Sequence, residues 1–210
     1  MNKTRFLFSK TGVAKYSSHL DLMRVLRRAF ARADIELVHS EGFNPHPYLS
    51  VALPLPVGVE SVCELLDVRL VQEPKEEMIA QLNAALPPGL AFQAVAPLRA
   101  VSEIAYAGYA FAIAQPPDDW NLLRELFYRD PVSVSKKTKS GVAEIDIRPH
   151  VKQWEAEQGG RVCRALLRAA DPAVSPGLFC RAMQERFPQF GWAHAVCTRT
   201  GLYDEAMERY

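Results

Sequence analysis

The stretch YSSHLDLMRVLRRAFARADIELVHSEGFNPHPYLSVALPLPVGVESVCELLDVRL, from Tyr16 to Leu70, decides how this chain folds. Ser18 stands where a helix N-cap belongs, its hydroxyl placed to accept from first-turn amides, and Asp21 three residues on makes a variant of the capping box. From there Leu22, Val25, Leu26, Ala29, Phe30 and Ala33 recur at helical spacing on one face, while Arg24, Arg27, Arg28 and Arg32 fall on the opposite one. The spacing predicts a helix to about Ala33 with one packed and one solvated face. GFNPHP, Gly42–Pro47, then breaks the pattern, because Pro45 and Pro47 lack amide donors and push the residues before them into extended geometry. Strands are expected on either side, at Leu37–Ser40 and Tyr48–Leu53, and again at Glu64–Leu70.

Upstream, Arg5–Phe8 (RFLF) is a short strand candidate. Downstream, Pro74–Leu86 reads as a helix with acids near its start, Pro87-Pro88-Gly89 stops it, and Leu90–Val95 reads as a strand. The order β-α-β-β-α-β is the ferredoxin-like plan, with two crossover helices on one face of a four-stranded antiparallel sheet. Leu98–Ala105 marks the boundary, because the pattern then restarts. A strand is expected at Tyr109–Ala114, a helix at Pro117–Tyr128, and two strands at Val132–Ser135 and Ala143–Ile147 around a KKTKSG turn. Val151–Gln158 reads as a short helix; Arg161–Ala169 fits a strand or a helix by pattern, and Gly159-Gly160 before it favours a strand paired with Ile145. Ser175 caps a helix to Phe187 with Pro176 at its first position, and His194–Thr198 closes the sheet. The expected class is therefore α+β, two tandem ferredoxin-like units with antiparallel sheets, residues 1–100 and 101–210. The loop GFNPHP is expected at the mouth of a cleft between them.

Composition narrows the function classes. With 25 Lys and Arg against 24 Asp and Glu the net charge is +1, so any affinity for nucleic acid has to come from local clustering. No apolar run approaches the roughly 18 residues of a membrane span, and the first ten residues lack the apolar stretch of a signal peptide, which predicts a cytoplasmic protein with no membrane partner. Cys63, Cys163, Cys180 and Cys197 are scattered singly, as suits reduced thiols, and offer no metal-ligand spacing. No metal or cofactor is expected. The phosphate-loop, dinucleotide and nucleophile-elbow patterns are absent, and His39-Ser40-Glu41 has the His-x-Glu spacing of zinc deaminases without the cysteine pair they require.

The segments SSHLDLMR, GFNPHP and LPVGVES, together with TRTGLY near the C-terminus, resemble the radical-SAM-linked protein family, a domain found alone or fused behind cobalamin-type radical S-adenosylmethionine enzymes. The chain lacks the Cys-x3-Cys-x2-Cys loop of such an enzyme, so the resemblance implies a partner of one. It also implies that Asp146-Ile147-Arg148-Pro149 and Arg199-Thr200-Gly201-Leu202-Tyr203, which match family motifs, meet the same ligand or partner.

Two clusters of cations are candidates for nucleic acid. From Val132 to Lys152, Lys136, Lys137, Lys139, Arg148 and Lys152 outweigh Glu144 and Asp146, leaving +3. The guanidinium groups of Arg24, Arg28 and Arg32 suit bidentate contacts to phosphate, and Arg199 is carried by its motif. Arg148 is expected in extended geometry before Pro149. The plainer readings are a lysine-protected turn and a solvated helix face. Ser18, His19, Asn44 and His46 are grouped as loop or cleft residues, Asn44 as a turn starter before proline. His19 and His46 are the candidate acid and base of a metal-free ribonuclease, since imidazole titrates near neutral pH; the plainer reading has them holding a cap and a rigid turn. Three functions follow: an RNA-binding or substrate-presenting accessory to a radical-SAM protein acting on tRNA or rRNA, a metal-free endoribonuclease resembling CRISPR repeat-processing nucleases, or a protein-interaction scaffold.

Overall fold

The computed structural model describes residues 2–138, 141–156 and 161–210. Lys139 therefore lies outside the described residues, and of Lys137 only the backbone is described. The fold is of mixed α+β class with four α-helices among the described residues. The chain divides into two compact units, one running to Val101 and including Tyr210, the other Ser102–Arg209.

The first unit contains β1 (Asn2–Lys10), α1 (His19–Arg32), β2 (Leu49–Val51), β3 (Glu60–Leu70), α2 (Glu77–Ala85) and β4 (Leu90–Ala96). β1 pairs β4 on one side and β3 on the other, and β3 pairs β2, all antiparallel, giving the order β4-β1-β3-β2. α1 starts where its sequence says it should. Ser18 Oγ accepts from the Asp21 amide at 3.2 Å and donates to the Asp21 carboxylate at 2.7 Å. Leu22, Met23, Leu26, Ala29 and Phe30 are buried, with Val25 and Ala33 packed at the margin. They share one apolar cluster with Met78 and Leu82 of α2 and with Phe6, Phe8, Leu66, Val68 and Phe92, so both helices cover the same sheet face. The rings of Phe6, Phe30 and Phe92 meet edge to face at centroid distances of 5.4 to 6.1 Å. Gly89 stops α2's connection for a steric reason beyond its φ of +90°. Its carbonyl accepts from the Thr11 amide at 2.7 Å, and a Cβ there would lie 2.4 Å from the Thr11 carbonyl oxygen.

The expected strand at Leu37–Ser40 is reduced to two isolated bridges, Leu37 to Leu70 and His39 to Pro47. Pro45 and Pro47 cannot donate, so pairing across this turn is limited to the Ser40 amide on the His46 carbonyl and the Tyr48 amide on the Val38 carbonyl.

The second unit contains β5 (Tyr106–Ala112), α3 (Trp120–Arg129), β6 (Ser133–Thr138), β7 (Gly141–Asp146), β8 (Val151–Ala156), β9 (Val162–Arg168), α4 (Pro176–Arg186) and β10 (Val196–Tyr203). Its main sheet runs β10-β5-β9-β8, antiparallel throughout, and β6 and β7 pair only with each other. Asp119 caps α3 through the amides of Asn121 and Leu122, and Ser175 caps α4 through that of Leu178, with Pro176 at the first helical position. Phe111, Phe127, Trp154, Phe179 and Trp192 build the core as a chain of ring contacts.

Two expectations fail here. Val151–Ala156 is the strand β8 rather than part of a helix, and the rest of that expected helix lies outside the described residues. β9 pairs β5 and β8 instead of Ile145, which faces Val134 inside the β6–β7 hairpin. The bulge in β8 between Val151 and Gln153 accounts for the first. It puts buried Val151 and Trp154 three residues apart, a helical spacing on a strand. Among the described residues no helix is long and apolar enough to cross a membrane.

Candidate nucleic-acid interface

Strand alternation sends successive side chains to opposite sheet faces, so the ring contact between Phe111 and Phe179 of α4 fixes the rest. On β5, Tyr106 and Gly108 face away from the helices. On β9 the same face carries Arg164, Leu166 and Arg168, which register against Ala110, Gly108 and Tyr106. β8 adds Gln153 and Glu155.

The motif Thr198–Tyr203 of β10 joins this face through a bulge. Arg199 registers against Tyr109, but Gly201 registers against Gly108, so Thr200 is the extra residue. The bulge keeps Arg199 on the helix side, 1% exposed, with its Nε 3.4 Å from the Tyr109 hydroxyl, and turns Gly201 and Tyr203 to the other. A Cβ on Gly201 would stand 2.6 Å from the Tyr203 hydroxyl and one on Gly108 3.4 Å from the ring, so the two glycines make the room in which the ring lies along the sheet. Tyr203, Arg164, Gln153, Glu155, Leu166 and Thr200 are among the residues around a pocket of about 200 Å³. Beside it Lys152 Nζ sits 4.7 Å from the centroid of Tyr106, and the Arg168 guanidinium carbon 5.1 Å from it. Arg168 also pairs with Glu205, whose carboxylate raises the guanidinium's proton affinity further.

Most sequence candidates lie elsewhere. Arg148 is not extended; it opens a 3-10 turn, Arg148–His150. Its Nε and Nη2 bond both Asp146 oxygens, at 2.7 to 3.1 Å, and its Nη1 donates to the Tyr128 carbonyl at 3.1 Å. That guanidinium holds the Asp146 carboxyl below the ordinary carboxylate range, helped by the Arg148 and Val132 amides. Lys136 Nζ donates to the Ala173 carbonyl at 2.8 Å. Arg24 pairs with Asp21 at 3.0 Å, while Arg27, Arg28 and Arg32 are exposed.

Ser18 is the cap already described, and His19 is the exposed first residue of α1. His46 Nδ1 lies 2.9 Å from Ser40 Oγ and 3.5 Å from the Asn44 carbonyl, so Asn44 contributes its backbone to the turn. His46 lines a second pocket, in the first unit; His19 does not.

Burial pushes up the thiols of Cys163, Cys180 and Cys197, Cys180 to about 12, which keeps them protonated and poor as nucleophiles or ligands. Among the described residues no group of three or more His, Cys, Asp or Glu is placed to hold a metal ion. Tyr106, Arg164 and Arg168 escaped the reading of the sequence, and Tyr203 entered it only as part of the Arg199–Tyr203 motif. The alternation Arg164-x-Leu166-x-Arg168 is the signal that points to a cationic strand face.

A family model described as an uncharacterized protein conserved in bacteria (DUF2344) matches residues 3–176. No curated protein matches the chain.

Proposed function

The chain belongs to the DUF2344 family, and for it we propose an accessory role in RNA modification, binding single-stranded RNA on the second unit's sheet and presenting it to a partner enzyme. The observation that carries this is the Tyr203 ring lying over two glycines, with Arg164, Arg168 and Lys152 on the same face. A ring along a sheet offers a stacking surface to any base, and flanking cations track the backbone; stacking of this kind is worth about 1–3 kcal/mol per base. The resemblance of the SSHLDLMR, GFNPHP and TRTGLY segments to the radical-SAM-linked family supports a radical-SAM protein as the partner, while tRNA or rRNA as the substrate rests on analogy with RNA-handling families built of tandem ferredoxin-like units. We also read each unit as ferredoxin-like. The orders β4-β1-β3-β2 and β10-β5-β9-β8, each with its helices on one face, support that reading, with the β6–β7 hairpin as an insertion. The fold by itself carries no function. Lys136, Lys137, Lys139 and the α1 arginines are secondary contacts in this proposal; Arg199, buried on the helix side, and Arg148, held by Asp146 and the Tyr128 carbonyl, are left out of it.

The test is a titration of labelled single-stranded RNA into the purified chain in the presence of chelator, over a series of salt concentrations. Binding should weaken with a slope of about −0.7 in log affinity against log salt per phosphate contacted. Tyr203→Ala should weaken it about 5- to 150-fold. Salt-independent or absent RNA binding overturns the proposal in favour of a protein scaffold. RNA cleavage lost on His46→Ala or His19→Ala overturns it in favour of the endoribonuclease, a reading favoured only by the Ser40 contact to His46 beside a polar pocket.

A further inference from the structure

On the first unit the sheet face turned away from α1 and α2 carries a small grid of charges. Register places Lys3 opposite Arg69 and Arg5 opposite Asp67, with Ser50 beside Asp67 on the far side of β3. Arg5 is buried, and its Nε and Nη2 grip the two Asp67 oxygens at 2.6 and 2.8 Å. Both oxygens of the one carboxylate are thus taken up by one cation. Lys3 reaches Asp67 only from 3.4 Å with its side chain 58% exposed. Arg69 is exposed and stacks its guanidinium on the Tyr48 ring, 4.2 Å from the centroid. Stacking occupies the face of a guanidinium and leaves its in-plane donors pointing outward.

Lys3, Arg69, Tyr48, Ser50 and His46 meet around a pocket of about 340 Å³, at the lower end of the range for small-molecule sites. Lys3 and Arg69 line the pocket against a single carboxylate, Asp67, whose oxygens Arg5 already grips, so the lining carries excess positive charge. Arg5 Nη1 is buried with no hydrogen-bond partner, which leaves the network short of an acceptor.

We infer that this pocket is an anion site that takes a phosphate group, with Arg69 and Lys3 donating to its oxygens, and the Tyr48 hydroxyl, Ser50 and His46 at its margin. The site shares no lining residue with the pocket beside Tyr203. The same chemistry has two sources, the backbone of an RNA strand or the phosphate of a free nucleotide, and the pocket's volume admits either.

The test follows the His46 ring and Arg69 side-chain NMR resonances of the full chain. The probes are inorganic phosphate, a nucleoside monophosphate and a short single-stranded oligonucleotide, each titrated separately against chloride at equal ionic strength. Saturable shifts are expected with at least one probe. Arg69→Gln should weaken that probe at least about tenfold and Lys3→Gln about threefold, since a hydrogen bond between charged groups is worth more than a tenfold change in affinity when lost. Both residues are exposed, so the variants should fold, and retained dispersion of the remaining resonances checks that they do. Saturation by the monophosphate at lower phosphate concentration than by the oligonucleotide assigns the site to a small molecule; the reverse order assigns it to the RNA backbone. Tyr203→Ala should leave monophosphate binding unchanged, which separates this site from the sheet face of the second unit. No saturable shift with any probe, or shifts that survive Arg69→Gln undiminished, overturns the inference.

Discussion

The two units share a strand order but use the face opposite their helices in different ways. In the first unit that face is held by charge: Arg5 and Asp67, 62 residues apart in sequence, are locked together in the sheet, and Lys3 and Arg69 gather round them. In the second unit it is held by shape, with Gly108 and Gly201 clearing space for Tyr203 and a bulge deciding which way the strand points. Charge on a buried face is costly unless fully paired, whereas a ring on glycine costs only the backbone freedom of two residues. Substitution in the buried Arg5–Asp67 pair should therefore show as lost stability, and substitution of the exposed side of Tyr203 as lost ligand affinity.

The largest effect expected from that contrast is on stability in the first unit. Asp67→Ala leaves the guanidinium of Arg5, 0% exposed, without its counter-charge, and breaking a buried pair in this way costs about 3–5 kcal/mol. At roughly 2–4 °C per kcal/mol for a chain of this size, thermal melting should drop by about 6–20 °C. A loss under about 1 kcal/mol would mean that water reaches Arg5, and the contrast between the faces would collapse. Gly201→Ala is expected next. Its Cβ meets the Tyr203 ring, so the ring has to leave its bed, at a cost of about 1–3 kcal/mol. RNA affinity should fall in the same variant by about as much as in Tyr203→Ala, and a Gly201→Ala chain that melts lower yet binds RNA normally would show that the ring's position is irrelevant to binding.

The sequence made the local devices legible and hid the long-range ones. Ser18 with Asp21, Ser175 with Pro176 and the apolar stripe of α1 work within a turn or two of chain, and each appears in the structure where the residues place it. The Arg5–Asp67 pair, the stack of Arg69 on Tyr48 and the seating of Tyr203 over Gly108 are set by strand register, which no short window of sequence contains. β8 was misread because its bulge imitates helical spacing, and Arg148 because its partner Asp146 sits only two residues away and folds back on it. Net charge over Val132–Lys152 counts such locked cations as though they were available.

Asp146→Asn sharpens that last point at intermediate size. Arg148 depresses the carboxyl, so the pair's contribution is fully present above the ordinary carboxylate value near 3.9 and is lost as pH falls through the lower value of the folded protein. The variant should melt below the parent at pH 7 by about 1 kcal/mol, solvent screening limiting the rest, and the gap should close on acidification below pH 4 or so. A gap that is the same at both pH values would mean that Asp146 acts through the Val132 and Arg148 amides as a neutral acceptor, without charge.

The smallest effect is expected from the lysine that the sequence made most conspicuous. Lys136 donates its ammonium to the Ala173 carbonyl at 2.8 Å, and a lysine tethered to the backbone has to break that bond to contact a phosphate, so it adds little to the count of phosphates neutralised. Arg164 is exposed on the same strand face as Tyr203 and lines the pocket beside it. In the salt titration with single-stranded RNA, Arg164→Gln should flatten the slope by about 0.7, the value of one lost phosphate contact, while Lys136→Ala should change it by clearly less. If instead Lys136→Ala removes a full contact and Arg164→Gln none, the hairpin is the RNA surface after all. The ring over its two glycines would then be a packing device, and charge rather than shape would decide what the second unit binds.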